Sequence, residues 1–133
     1  MGQHTFTKQE KLTSETNIKE LFKRGSSFNL YPFRVIYLSH PDQNWLFSQV
    51  LISVSSRNFK RAVDRNAIKR RMREAYRLNK SKLITPQKLL VGYIYISKEI
   101  LPSSVIHEKM DKTLGMISAK ELKREKNEGT SLG

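Results

Sequence analysis

Over residues 57–77 the chain reads RNFKRAVDRNAIKRRMREAYR, without Gly or Pro, and its apolar positions recur at helical spacing. Ile68, Met72, Ala75 and Tyr76 follow i, i+4, i+7, i+8, which predicts a helix with one face on a core. At about 100° per residue, Asn66, Lys69, Arg70, Arg73 and Arg77 fall on a neighbouring arc. Before this helix, Thr13 or Ser14 caps another that runs to about Arg24 and stops at Gly25, with Ile18, Leu21 and Phe22 on one face. Residues 1–12 form a polar, basic, extended arm anchored by Phe6 and Leu12.

The pattern then turns to β. Residues 27–31 and 33–38 read as strands separated at Pro32, and residues 40–44 as a turn cluster. Residues 45–55 read as a third strand that places Phe47, Val50, Ile52 and Val54 toward a core. Short links between three sequential strands favour an antiparallel meander. Beyond Thr85-Pro86, residues 89–96 are apolar on both faces, as in an interior strand. A last helix opens at Pro102-Ser103-Ser104, with Ile106, Met110, Leu114 and Ile117 as its stripe. The order αβββαβα is an α+β domain over residues 1–123 with one four-stranded mixed sheet. Residues 124–133, charged and then Gly/Ser-rich, read as a disordered tail.

Charge changes this picture from fold to function. The 133 residues carry 25 Lys or Arg against 12 Asp or Glu, a net +13, with 38% hydrophobic content clustered into the segments above. Residues 60–77 hold eight basic and two acidic residues, so this stretch alone supplies 8 − 2 = +6. A solvated helix face usually mixes signs and pairs them at i, i+4. Unrelieved like charge costs helix stability, so the arc reads as a polyanion-binding face, and the balance points to nucleic acid. The absence of cysteine excludes disulfides, a thiolate nucleophile and Cys-ligated zinc. No apolar run approaches a signal or membrane-spanning length, so a cytoplasmic protein without membrane association is expected.

The run Arg65-Asn66-Ala67-Ile68-Lys69-Arg70-Arg71-Met72-Arg73, preceded by Ile52-Ser53-Val54-Ser55, closely resembles the signature of the protein subunit of bacterial ribonuclease P. Family members carry a strand ending in Ser-Val-Ser, a short basic loop and an Arg-Asn-Arg-x-Lys-Arg helix. The likeness extends over Phe6, Leu12, residues 18–22, Gly25 and the strand from Phe33, and covers residues 5–96. Ala67 replaces the third residue of the triplet, so the role of that Arg is absent or falls to Arg71.

The resemblance implies a left-handed β-α-β crossover around the basic helix, where the general rule is right-handed. It implies a subunit of an endoribonuclease whose RNA, with Mg²⁺ held by that RNA, removes the 5′ leader from precursor tRNA. Arg65, Asn66, Lys69, Arg70, Arg73 and Arg77 would then face the catalytic RNA, while Ile18, Phe22 and Ile36 would line a cleft for the leader. No obligate protein partner is implied.

The residues agree with a division of labour in which the protein does no chemistry. His4, His40 and His107 lie in an arm, a turn and a surface-helix position, each read as solvated. Paired carboxylates, metal-binding His spacings and Gly-rich phosphate loops are missing, which argues against a self-sufficient nuclease. A major-groove DNA reader would want more base-reading residues on the helix. A ribosomal-type RNA-binding protein without a role in cleavage is the remaining alternative.

Overall fold

The computed structural model describes residues 6–132, with side chains described over residues 6–124. Its elements are α1 (Glu15–Arg24), β1 (Ser26–Leu30), β2 (Phe33–Ser39), β3 (Gln49–Val54), α2 (Ala62–Asn79), β4 (Leu89–Tyr95) and α3 (Ser103–Leu132). A single turn of 3₁₀ helix, Lys8–Glu10, precedes α1. The sequence boundary after residue 123 falls inside α3, whose backbone helix continues to Leu132.

The sheet runs in the order β1-β2-β4-β3, with β1/β2 and β2/β4 antiparallel and β3/β4 parallel. It is the expected four-stranded mixed sheet, but its middle is not a meander. β4 inserts between β2 and β3, which therefore never pair. The reason is burial: every residue of β4 except Ile94 is buried, and a strand apolar on both faces belongs at the centre. The third strand also starts later than its alternation suggests. Trp45, Leu46 and Phe47 lie exposed in the loop before it. There the Asp42 carboxylate accepts from Asn44 N–H at 3.0 Å, the Asp42 carbonyl accepts from Trp45 N–H at 3.1 Å, and the turn holds the chain off the sheet.

Alternation gives the sheet two unequal faces. Phe33, Val35 and Tyr37 of β2, Val50 and Val54 of β3, and Leu89, Val91, Tyr93 and Tyr95 of β4 point to one side. Onto it pack the predicted stripes of α2 (Ile68, Met72, Ala75, Tyr76) and α3 (Ile106, Met110, Leu114, Ile117), all buried. Each such aliphatic side chain contributes about 1.5–3 kcal/mol. The opposite face has a smaller core of Leu12, Leu21, Ile36 and Leu90, covered by α1 and the segment that carries Leu12.

Two local devices set where α1 and the N-terminal segment lie. Ser14 caps α1 by accepting from Asn17 N–H at 3.3 Å. Gly25 ends it in extended rather than left-handed conformation, at φ −71° and ψ 154°. Glycine is required there for space: a Cβ would stand 2.5 Å from the Leu21 carbonyl oxygen and 2.7 Å from Ile36 Cγ1. Upstream, Glu10 accepts from Lys80 Nζ at 3.0 and 2.9 Å, a pair buried at the C-terminal end of α2. Phe6 meets Tyr76 edge-on at 5.5 Å. The arm is thereby seated along α2 and reaches β3, where Lys11 bridges Val50.

Candidate nucleic-acid interface

The basic helix begins only at Ala62, because residues 55–61 form a separate ordered loop. Phe59 plugs it into the core beside Tyr95, at 6.0 Å between ring centroids. Arg65 then donates to the carbonyls of Phe59 at 2.7 Å and Lys60 at 2.9 Å. One guanidinium of the expected RNA face is thus partly spent on fastening the helix start. Arg71 is spent likewise. It is half-buried and donates to the Leu101 carbonyl at 2.6 Å, tying α2 to the segment before α3. That bond occupies part of its guanidinium.

Asn66, Lys69, Arg70 and Arg73 are different. None has a hydrogen-bond or ion-pair partner among the described residues, and all four lie on the arc beside the buried stripe. Arg77, at the end of the arc, pairs with Glu74. That contact holds the Glu74 carboxyl below its usual range and raises the Arg77 guanidinium. Arg61 and Asp64 form a second short-range pair at 3.1 and 3.2 Å. Glu74 thus pairs the C-terminal end of the arc, Asp64 pairs Arg61 outside it, and the centre of the arc stays open.

The fold adds residues that helical periodicity on α2 cannot reveal. Lys11 and Phe6, from the N-terminal segment, close a groove of about 340 Å³ with Arg70, Arg73, Arg77 and the Glu74 that pairs with Arg77. Lys11 Nζ stands 5.8 Å over the Phe6 ring. A line of ammonium and guanidinium groups beside an aromatic edge can pair with successive phosphates and displace their counterions.

The second expected site divides. Phe22 is 47% exposed on α1, and Ile18 is half-buried beside the smaller core. Ile36 is only 4% exposed and sits beneath α1, so it is part of the floor and offers no surface to a ligand. The open part of that sheet face is the next row across the strands: Asn29 opposite Arg34, Arg34 opposite Ile94, and Ile94 opposite Ser53. Asn29 and Arg34 are exposed, Ile94 and Ser53 half-buried.

His40 is buried rather than solvated, with both ring nitrogens hydrogen-bonded. His107 is half-buried on α3, and His4 lies outside the described residues. Among the described residues, no three His, Asp or Glu gather as a metal site. No helix among them is long and apolar enough to cross a membrane.

The sequence model described as Ribonuclease P matches residues 6–118. A Porphyromonas gingivalis protein named Ribonuclease P protein component is 33% identical over 128 residues, spanning 90% of this chain and 93% of that one. The chain belongs to the ribonuclease P protein family. It is accordingly a subunit of the ribonuclease P endoribonuclease, acts in 5′ maturation of tRNA, and associates with ribonuclease P RNA. The structure of the RNase P protein from Thermotoga maritima superposes with a TM-score of 0.68 at 25% identity, over 81% of this chain and 97% of that one. The Staphylococcus aureus RNase P protein shares the fold at a TM-score of 0.67 and 21% identity, over 80% and 94% of the two chains. The family match reaches back to Phe6, so it includes the arm that brings Lys11 to the arc.

Proposed function

We propose that the α2 arc docks on phosphates of ribonuclease P RNA near its catalytic core, while the α1 side of the sheet holds the 5′ leader of precursor tRNA. Asn66, Lys69, Arg70 and Arg73 make the first contact, joined by Lys11, with Arg65 and Arg77 at its ends. Phe22 and Ile18 make the second, with Arg34 and Asn29 on the sheet in place of Ile36. One observation carries this reading: three cations and an amide lie in line without a partner among the described residues, on a helix whose nearby acids are already paired. Such a face gains from a polyanion what it lacks within the chain.

Mg²⁺ belongs to the RNA in this reading, and so does the chemistry. Seven carboxylates of the described residues each pair with a Lys or Arg: Glu10, Glu20, Asp64, Glu74, Glu108, Asp111 and Glu121. The protein's part is to bring cations where RNA strands crowd, reducing the screening that Mg²⁺ must supply.

The test is the triple charge reversal Lys69→Glu, Arg70→Glu, Arg73→Glu. Binding to ribonuclease P RNA should weaken, and its log–log salt slope should flatten by about 2–3 units. The melting transition should stay in place, because all three side chains lie outside the core. A triple variant with the wild-type slope refutes the docking face. In parallel, the purified chain with Mg²⁺ should leave precursor tRNA intact, and adding the RNA should restore cleavage at low Mg²⁺.

A further inference from the structure

A cavity of about 770 Å³ opens between the N-terminal segment, the start of α1 and the loop that follows β2. That volume is in the range of ligand sites. Trp45 lines it, 37% exposed and rigidly held. Its Nε1–H donates to the Gln9 carbonyl at 3.0 Å, and its ring lies parallel to His40, at 5.9 Å and 12°.

His40 is itself fixed. Asp42 N–H donates to Nδ1 at 3.0 Å, so Nδ1 is the unprotonated nitrogen and Nε2–H donates to Gln49 Oε1 at 2.9 Å. Gln49 Nε2–H then donates to the carbonyls of Gln9 at 3.2 Å and Lys11 at 3.4 Å. Five groups thus orient one indole, at a position where no apolar core demands it.

The surroundings of that indole suit a nucleotide. Lys8 lines the cavity with its ammonium free of any partner among the described residues, while Lys11 lines it too but holds its ammonium over Phe6. Asn17 contributes a side-chain amide with no partner of its own among them. Asp42 stands on the wall as well, with one carboxylate oxygen occupied by Asn44 N–H. Lys11 also borders the groove beside Arg70 and Arg73, so the cavity continues the cationic arc around the edge of the molecule.

We infer that this cavity is a second RNA site, which takes one unpaired nucleotide by stacking its base on Trp45 and pairing its phosphate with Lys8. A pre-oriented aromatic loses little freedom on binding, and stacking tolerates any base. The inference rests on the RNA-binding reading above and extends it to a surface on neither α2 nor the open row of the sheet. The nucleotide could come from the leader or from an unpaired position of the RNA subunit.

Trp45 is the sole tryptophan of the chain, so its emission reports on this cavity alone. The full chain is titrated with a single-stranded RNA octamer and, separately, with ribonuclease P RNA. Emission and the anisotropy of end-labelled RNA are followed together. Saturable quenching by the octamer assigns the site to leader-like strands, and quenching by ribonuclease P RNA alone assigns it to the subunit. In the arm that quenches, Trp45→Ala should weaken binding about 5- to 150-fold. Lys8→Glu, an exposed change with no partner to lose, should weaken it too and lower the salt slope by about 0.7. Binding of both RNAs with unchanged emission, and unchanged affinity of Lys8→Glu, overturns the cavity but spares the α2 interface. If neither RNA binds, both readings fall.

Discussion

The helices α1 and α2 lie on opposite faces of one sheet, and they expose opposite kinds of chemistry. α2 buries four residues and turns outward an arc whose central cations, Lys69, Arg70 and Arg73, have no partner among the described residues. α1 buries Leu21 and turns outward an aromatic ring, Phe22. A cationic arc gains affinity from counterion release, which salt suppresses. An aromatic on a half-covered sheet gains from stacking and apolar contact, which salt barely touches. The difference teaches that, on the proposed reading, one small domain holds two RNA segments on separable physical terms.

The largest effect should come from breaking α2 from inside. Met72→Asp places a charge in a fully buried site between the sheet and α3, at a cost above about 4 kcal/mol. The circular dichroism melt should show no folded state, and a folded variant would contradict the assigned core. Next comes the floor beneath α1. Ile36→Ala should cost about 2–5 kcal/mol in denaturant unfolding while leaving discrimination between long and short leaders at temperatures where it remains folded. Phe22→Ala is its counterpart, with unfolding nearly unchanged. The holoenzyme's preference for long-leader precursors should fall by about 1–3 kcal/mol, with no change in the salt slope. A flattened slope would mean that α1 also acts through charge. The smallest effect sharpens the other helix: Arg71→Ala should cost about 1–3 kcal/mol of stability through the Leu101 carbonyl. RNA affinity measured on the folded variant should hold, unlike that of the triple reversal on the arc.

The helical stripes were legible in the sequence because each reports a single element against a flat sheet. Ile68, Met72, Ala75 and Tyr76 are all buried, as are the four apolar residues of the α3 stripe. The sheet order was half legible. An all-apolar β4 already implied a central place, but short links between earlier strands argued for a meander, and burial won. The resemblance put Ile36 in the leader cleft, and a strand pattern carries no information on whether a helix covers that side. Charge had the same limit. Arg65 and Arg71 carry the same charge as Arg70 and Arg73, and helical periodicity sets them off the arc, but only the fold shows the backbone carbonyls they bind. Lys11 joins the arc through an arm seated on Tyr76, a contact between distant segments that no local pattern encodes.

The buried pair Glu10–Lys80 has a consequence for how such chains can change over generations. Its members are 70 positions apart, with the Glu10 carboxylate buried and the Lys80 ammonium largely so. Losing either alone strands an uncompensated charge, which is costlier than losing both to well-packed apolar residues. Single steps at either position are therefore penalised, and the viable route passes through both at once. Descendant sequences should keep the two together or exchange them as a pair, so that a link formed by folding leaves its record as correlated inheritance.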